Sequence, residues 1–348
     1  MSLPANQAAW LHKADTQLQV GDAPLPTAGP NEIVIRNAAI AINPVDCHMQ
    51  KVGVFIQQWP AIFGCDVAGI VHEVGSSVTR FNVGDRVIGH TINLISGRPK
   101  DGAFALFTTV PADKAAILPA TITFTDGVVV PFALEAAICA LSATEPGTAL
   151  PGVSTPALGL PYPSLDPVPS GKVIVVNGAS SSVGSMVTQL ATAAGVKVIA
   201  VTSAQNAGLA CTCGAAEAFD YRDSSFVEKV VEAVENSKLQ FVGIIDSVST
   251  ADTYPNDLLI LEKLGGGHLS CTHPPPAEVP ENVKTGMIFA VNDVATPVWT
   301  DYVTKALQAG KLKCLPAPTV IGKGLEFIHG ALEKCEAGVS ATKLVVEV

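Results

Sequence analysis

The chain has 348 residues, of which 48% are hydrophobic and 15% are charged, and its formal net charge is −10. This length exceeds what one hydrophobic core usually fills, so we expect a globular protein of two domains. No Lys/Arg cluster stands out in this acidic chain, which argues against a nucleic-acid partner.

Short β-type runs separated by Gly and Pro fill the first 120 residues. Alternating runs at 32–36, 68–74 and 85–89 predict a compact β domain. Residues 126–142 are predicted to be helical.

The longest apolar run, roughly 128–141, contains Pro131 and Glu135 and is short for a bilayer span. No signal-peptide pattern precedes it. We therefore expect a soluble, cytoplasmic protein with no membrane partner.

A loop rich in proline and glycine at 145–171 separates the region of short β-type runs from a region in which strand and helix patterns alternate. Strand patterns at 172–177, 197–201, 241–246 and 267–271 then alternate with helical patterns at 182–194, 224–236 and 254–264. This alternation predicts an α/β fold with a doubly wound parallel sheet, that is, a Rossmann domain. A helix at 298–309 and a strand at 342–348 indicate a return to the first domain.

The predicted division is therefore 1–125 for the first domain, 126–294 for the Rossmann domain and 295–348 for the return to the first domain.

Eight cysteines are scattered without a CxxC pair. We expect them to be free and mostly buried thiols.

The segment 178–184, Gly-Ala-Ser-Ser-Ser-Val-Gly, follows a strand and opens a helix. A dinucleotide pyrophosphate needs a tight turn there, close backbone approach and N–H groups at the helix N-terminus. Gly178 can form the turn, Gly184 allows close packing, and the serines can donate hydroxyl groups or cap the helix. The predicted phosphate-binding residues are Gly178, Ser180, Ser181, Ser182, Val183 and Gly184.

The end of the second Rossmann strand distinguishes NAD from NADP. An acidic side chain there would hold the ribose 2′-hydroxyl, and residues 201–206 contain none. Ser203 is the predicted contact to a 2′-phosphate. No basic neighbour is evident in the sequence, since Gln205 is nearby and Arg222 lies further along the chain. NADP is the predicted cofactor.

Taken together and in this order, several motifs resemble the medium-chain dehydrogenase/reductase superfamily over almost the whole chain. The resemblance implies a GroES-like β-barrel catalytic domain at both termini, a Rossmann domain between them, and a cofactor in the cleft between the domains. The motifs are Asn43-Pro-Val-Asp46, residues 60–69, residues 83–87, residues 178–184, Phe219-Asp-Tyr-Arg222 and Gly265-Gly-Gly267.

Zinc ligands divide this superfamily by chemistry. The chain has Asn43 where zinc-dependent alcohol dehydrogenases carry Cys, and Gly64-Cys65-Asp66 where they carry Gly-His-Glu. No Cys lies between 65 and 139, so the structural-zinc lobe is missing too. An improvised site of Cys47, His48, Cys65 and Asp66 lacks the matched spacing, and we predict no metal.

The remaining resemblance is to zinc-independent quinone and enone reductases and to trans-acting enoyl reductases of fungal polyketide pathways. It implies an NADPH-dependent reductase that delivers hydride to the activated C=C of a small or carrier-bound enone or enoyl thioester. A polyketide synthase is then a candidate partner. The alternatives are an NADPH quinone oxidoreductase, or a scaffold with a non-redox or non-catalytic, NADPH-holding role.

The resemblance also supplies candidate catalytic residues. Asn43 and Asp46 match the start of the catalytic segment, and His48 stands where related enoyl reductases often have Lys. Glu135 either extends to solvent or lies in the active cleft with a raised pKa, and Ala136 replaces the usual Thr. Loss of that Lys and that Thr keeps the non-catalytic alternative open.

Further cofactor contacts follow from the same resemblance. Tyr221 matches a position near the adenosine phosphate, and Val248 lies in a segment that the cofactor passes. Phe289 lies in a late strand that we place at 287–290, where backbone groups hold the carboxamide.

Overall fold

The computed structural model describes residues 5–348. Its β-strands are β1 Asn6–Trp10, β2 Gln19–Ala23, β3 Glu32–Ala41, β4 Asp66–Val74, β5 Arg86–His90, β6 Phe107–Pro111, β7 Ala115–Ile117, β8 Thr148–Leu150, β9 Val153–Ser154, β10 Lys172–Asn177, β11 Lys197–Thr202, β12 Glu217–Asp220, β13 Gln240–Asp246, β14 Gly267–Cys271, β15 Val283–Met287, β16 Pro318–Lys323 and β17 Lys343–Glu347. Its α-helices are α1 Pro44–Val52, α2 Asn93–Ser96, α3 Phe124–Gly127, α4 Pro131–Ser142, α5 Ser182–Ala193, α6 Ala207–Thr212, α7 Phe226–Ser237, α8 Tyr254–Lys263, α9 Thr296–Asp301, α10 Val303–Gln308 and α11 Phe327–Glu336.

The chain divides into two compact units. The first unit contains the described residues up to Phe132 together with Trp299–Gln308 and Ala317–Val348. The second unit contains Ala133–Val298 and Ala309–Pro316. The sequence-based boundaries after 125 and 294 fall a few residues before these transitions, and the short segment 309–316 was not anticipated.

The second unit is built on a six-stranded sheet in the order β12-β11-β10-β13-β14-β15, and every pairing in it is parallel. The chain runs outward from β10 to one edge and then returns to β13 on the other side. This reversal is the switch point at which doubly wound sheets bind ligands. The predicted parallel α/β fold is confirmed.

Strand β15 corrects one expectation. It spans Val283–Met287 and pairs with β14 so that Val283 lies opposite Gly267, whereas the apolar residues 287–290 suggested a later strand. Ile288 and Ala290 are buried outside the sheet. At Gly286 a Cβ would lie 2.5 Å from the Pro156 nitrogen, so the chain packs too closely there for a side chain.

The first unit contains a seven-stranded sheet in the order β16-β17-β3-β4-β5-β7, with β6 pairing to β3. The ten-residue strand β3 is its centre, since β4, β6 and β17 all pair with it. Antiparallel pairing places Val345 of β17 opposite Ala41 of β3, so the C-terminal segment completes the sheet.

Two predicted helices are each divided in the structure. The stretch 126–142 forms α3 and α4, and α4 begins at Pro131, whose missing N–H suits the first position of a helix. The stretch 298–309 forms α9 and α10. By length and composition Phe124–Ser142 could cross a membrane, but 78% of it is buried in the protein, as in a core helix.

A pair of buried acids joins β13 to α8 in the second unit. Asp246 ends β13 and accepts hydrogen bonds from the N–H groups of Val248 and Ser249 at 2.9 and 2.8 Å. Asp257 of α8 accepts one from Asn177 Nδ2 at 3.0 Å and contacts Asp246. Burial, and then the Asp246 charge, raise the pKa of Asp257 well above its ordinary value. Asp257 therefore keeps its proton in the folded protein.

This raised pKa predicts a pH-dependent stability. Unfolding exposes Asp257, which then ionises near pH 4, so its contribution to stability is full at lower pH and is lost as the pH rises toward the folded-state pKa. Asp257→Asn keeps a donor and an acceptor but cannot ionise. In urea unfolding, the free energy of unfolding of Asp257→Asn relative to that of wild type should rise with pH by up to about 1.4 kcal/mol per pH unit. The exposed acid Asp252 provides the control Asp252→Asn, and a difference for Asp257→Asn that does not change with pH would contradict the assignment.

Candidate functional site

The turn between β10 and α5 requires glycine at both ends. Gly178 has a φ of +71°, and a Cβ there would lie 2.5 Å from Val248 Cγ2. A Cβ on Gly184 would lie 2.3 Å from the Gly178 oxygen. Both glycines are therefore required by the close packing of this turn against the protein itself, and Gly178 also by its positive φ.

Two of the three loop serines are engaged by the fold. Ser181 caps α5, since its Oγ accepts the Gly184 N–H at 3.0 Å and donates to Ser247 Oγ at 3.0 Å. Ser180 Oγ accepts hydrogen bonds from Thr202 Oγ1 at 2.8 Å and Asn206 Nδ2 at 3.2 Å. These two serines shape the loop and tie it to the end of β11.

Two other serine hydroxyls at this edge of the sheet have no such role. The Oγ atoms of Ser182 and Ser203 are buried and have no hydrogen-bond partner among residues 5–348. A buried hydroxyl without a partner costs free energy, so each of the two is a donor that the described fold leaves unused. Ser182 is also the first residue of α5, and the free N–H groups in the first turn of a helix can donate hydrogen bonds to an anion. Together with the tight turn between Gly178 and Gly184, these residues fit the phosphates of a dinucleotide.

The ends of β11 and β12 lie side by side. The Tyr221 N–H donates to the Thr202 oxygen at 3.3 Å, which brings Tyr221 close to Ser203. The Arg222 guanidinium lies 5.1 Å from the centre of the Tyr221 ring, and both side chains are exposed. A cation and an aromatic face therefore border the strand end that has no acidic residue.

The remaining predicted cofactor residues lie further along the sheet. Val183 is partly exposed in the first turn of α5, and Val248 is exposed just after β13. Phe289 is partly buried and follows β15 rather than lying in a strand. The structure thus brings the 178–184 loop, Ser203, Tyr221 and Val248 to the carboxyl ends of adjacent strands, with Phe289 beyond the far edge strand.

In the first unit, Asn43 and Asp46 lie in a buried polar cluster at the start of α1. Asp46 Oδ2 accepts the Asn43 N–H at 2.8 Å. The Asn43 amide donates through Nδ2 to Asp66 Oδ2 at 2.9 Å and accepts a hydrogen bond from Lys343 Nζ at Oδ1. Lys343 Nζ also lies 3.3 Å from Asp66 Oδ2, and Asp66 Oδ1 accepts the Phe132 N–H. We call Asn43, Cys65, Asp66 and Lys343, together with Asp46, the lysine cluster.

Burial dominates the electrostatics of this cluster. It raises the pKa of Asp46 to about 7 against the hydrogen bond from Asn43, so part of Asp46 is protonated at neutral pH. It also raises the pKa of Asp66, although Lys343 and the hydrogen bonds from Asn43 and Phe132 oppose the rise. The Cys65 thiol, 3.6 Å from Asp46 Oδ1, has a pKa well above its ordinary value and stays neutral.

His90 adjoins the lysine cluster, since it lies opposite Asp66 in the pairing of β4 with β5. Burial, with the charges of Lys114 and Lys343, holds the pKa of its imidazole well below the ordinary value. Within residues 5–348, no group of three His, Cys, Asp or Glu side chains could hold a metal ion. The cation in this cluster is the Lys343 ammonium.

The other predicted catalytic residues lie apart from these contacts. His48 is exposed on α1, two residues after Asp46. Glu135 of α4 is fully buried, so the alternative in which it extends to solvent is wrong. Sequence reasoning missed Lys343, because its strand is buried on both faces and shows no alternation that would mark an inward side chain.

Lys343→Met tests whether the buried ion pair holds the first unit together. Removing the ammonium leaves Asp66 buried without its cation, and we expect a loss of about 3–5 kcal/mol in the free energy of unfolding. Asp66→Asn in the Lys343→Met background removes the stranded charge and should recover part of this loss. Urea unfolding of the two single variants and the double variant measures the coupling, and additive losses would contradict it.

The chain matches known proteins along nearly its full length. Residues 29–120 match the family model described as the alcohol dehydrogenase GroES-like domain, and residues 182–290 match the one described as zinc-binding dehydrogenase. The chain is 69% identical to the dehydrogenase orsE of Emericella nidulans, covering 99% of this chain and 100% of that protein. It is 35% identical to the trans-enoyl reductase himH of Aspergillus japonicus, covering 99% and 97%.

Among solved structures, the fold is similar to that of a mycobacterial protein in complex with NADPH. The TM-score is 0.70 at 22% sequence identity, covering 99% of this chain and 100% of that one. The two-part match, the parallel sheet and the full-length relatives lead to one assignment. The chain belongs to the medium-chain dehydrogenase/reductase superfamily, as an oxidoreductase-type member with a GroES-like and a Rossmann domain.

Proposed function

We propose that this protein is a zinc-independent, NADPH-dependent reductase that delivers hydride to the activated C=C of an enone or enoyl thioester in secondary, polyketide-type metabolism. The observation that carries the proposal is a pair of hydroxyls, Ser182 and Ser203, that have no hydrogen-bond partner among residues 5–348. They lie in the segments 178–184 and 201–206, which contain no acidic residue. The trans-enoyl reductase name of a full-length relative supports the reaction class.

NADPH is the proposed cofactor because of the groups around Ser203. The extra 2′-phosphate of NADPH needs donors and positive charge, whereas the 2′-hydroxyl of NADH favours an acid. Ser203 offers a hydroxyl, and Arg222, stacked on Tyr221, offers the cation. The loop 178–184 would hold the pyrophosphate.

The proposed zinc independence has its support in the lysine cluster. Asp66 and Asn43 are bound to the Lys343 ammonium, and burial keeps the Cys65 thiol protonated. A zinc ligand must be ionised or offer a free lone pair. In this cluster, a metal would have to displace the hydrogen-bonded Lys343 side chain.

When bound, NADPH supplies a hydride to the β-carbon of the acceptor. The hydrogen bonds of Asn43 and Asp46 fix the first turn of α1 and therefore the position of His48 on the same helix. We propose that His48 holds a proton on an imidazole nitrogen for the α-carbon of the product. Asn43 and Asp46 act through that helix, and a direct catalytic role for either, or for Glu135, stays a prediction.

The proposed substrate is a small or carrier-bound conjugated carbonyl, and a polyketide synthase is the proposed partner. We further propose that the protein acts in the cytoplasm. Support for a soluble state comes from the burial of its most apolar helical stretch, Phe124–Ser142.

A panel of acceptors tests the reaction. NADPH oxidation is followed with enones, enoyl thioesters and quinones after zinc analysis of the purified protein, and the proposal expects turnover of enones or enoyl thioesters without stoichiometric zinc. Turnover of quinones alone would favour the quinone-reductase alternative. NADPH binding without oxidation by any acceptor would favour the non-redox role.

The same assay tests His48. His48→Ala should lower turnover by about 10²-fold or more, in the range of a lost general acid, and should change its pH profile. The exposed His12 offers the matched control His12→Ala. Unchanged turnover for His48→Ala would remove this residue from the mechanism.

Ser203→Asp tests the cofactor choice. A carboxylate at the end of β11 would repel the 2′-phosphate and accept a hydrogen bond from a 2′-hydroxyl, so we expect the Kd for NADPH to rise by about tenfold or more and that for NADH to fall. The exposed Ser76 of the first unit gives Ser76→Asp as a charge-matched control. Calorimetry with both cofactors is the measurement. Equal changes in the Kd values for the two cofactors would show that Ser203 does not contact the ribose 2′ position.

A further inference from the structure

Two cysteines from distant parts of the chain meet on neighbouring helices of the first unit. Helices α1 and α11 pack together, and Cys47 and Cys335 are both partly buried where they do so. Cys47 Sγ lies 3.5 Å from the Leu332 oxygen, one helical turn before Cys335. Each of the two thiols lies close enough to the other to shift its pKa.

The two thiols differ in acidity. The hydrogen bond from Cys47, together with the charge of Lys343, lowers the pKa of Cys335 against the opposing effects of burial and Asp46. The same contact and burial raise the pKa of Cys47. Cys335 is therefore the thiol that ionises more readily, and Cys47 is its proton-holding neighbour.

We propose that Cys47 and Cys335 form a reversible disulfide that joins α1 to α11 when the protein meets a peroxide. The Cys335 thiolate attacks one peroxide oxygen and the O–O bond breaks, which leaves a sulfenic acid on Cys335 and a hydroxide that takes up a proton to become water. The Cys47 sulfur then displaces the sulfenic hydroxyl, which leaves as a second water with the Cys47 proton. Two thiols lose two hydrogens, and the peroxide is reduced to water.

The bond would act on the helix that starts in the lysine cluster. Helix α1 is anchored through Asn43, and α11 packs on β16 and β17. A link between the two helices would restrain α1 from its other side. The disulfide depends only on the two thiols, so it does not depend on the proposed reductase activity, and either proposal can fail without the other.

Peptide mapping of the full-length, folded protein tests the disulfide. Protein treated with a small excess of hydrogen peroxide is quenched, its remaining thiols are blocked with N-ethylmaleimide, and it is digested without reductant. We expect a peptide that joins Cys47 to Cys335, lighter by two hydrogens, to replace the two blocked peptides in most molecules. Dithiothreitol should restore both thiols.

Single serine variants assign the roles of the two sulfurs. Cys335→Ser should leave Cys47 as a thiol, whereas Cys47→Ser should leave a sulfenic acid on Cys335 that dimedone traps. The exposed Cys211 gives the control Cys211→Ser, which should form the link as wild type does. Circular dichroism checks that each variant folds, and the wild-type map does not rely on any variant. A link that is absent, or that forms only in urea, would overturn the proposal.

Discussion

The first unit depends on one buried ion pair. Lys343 and Asp66 lie in the interior, where either charge alone would cost several kcal/mol. The Asn43 amide bridges them, because its Nδ2 donates to Asp66 and its Oδ1 accepts a hydrogen bond from Lys343. The contact joins β17, β4 and the start of α1, which come from opposite ends of the sequence. The position of α1, and of every side chain on it, follows from this contact.

The two units treat their polar groups differently. In the lysine cluster the amide, the ammonium and the carboxylates satisfy one another, so that region is complete without a ligand. At the strand ends of the second unit, Ser182 and Ser203 have no partner within the fold, while Ser180 and Ser181 do. The proposal of a phosphate-bearing cofactor rests on these two unused hydroxyls of the second unit.

Most of the fold could be predicted from the sequence, since buried strands and amphipathic helices alternate with clear periods from residue 172 onward. The short elements β12 and α6, and β16 and α11 near the C-terminus, were not predicted. β15 was placed too late, because Val-Lys-Thr-Gly-Met carries little apolar signal and its neighbours 288–290 carry more. The serine loop was also predictable, but its division into engaged and unpartnered hydroxyls was not. That division depends on Thr202, Asn206 and Ser247, which lie far from the loop in sequence. The role of Lys343 could not be predicted either, because the burial of its side chain depends on packing against residues that are distant in sequence.

The chain order of the lysine cluster has a consequence for synthesis. Asn43, Asp46 and Asp66 are made early, but their cation, Lys343 of β17, follows Asp66 by 277 residues. All residues of the second unit have been made by Pro316, so it can fold while the chain is still growing. The first unit cannot pair its buried carboxylates with Lys343 until the whole second unit has been made. A ribosome that stops between Pro316 and Lys343 would release a chain whose second unit is complete and whose first unit lacks the cation of its buried ion pair.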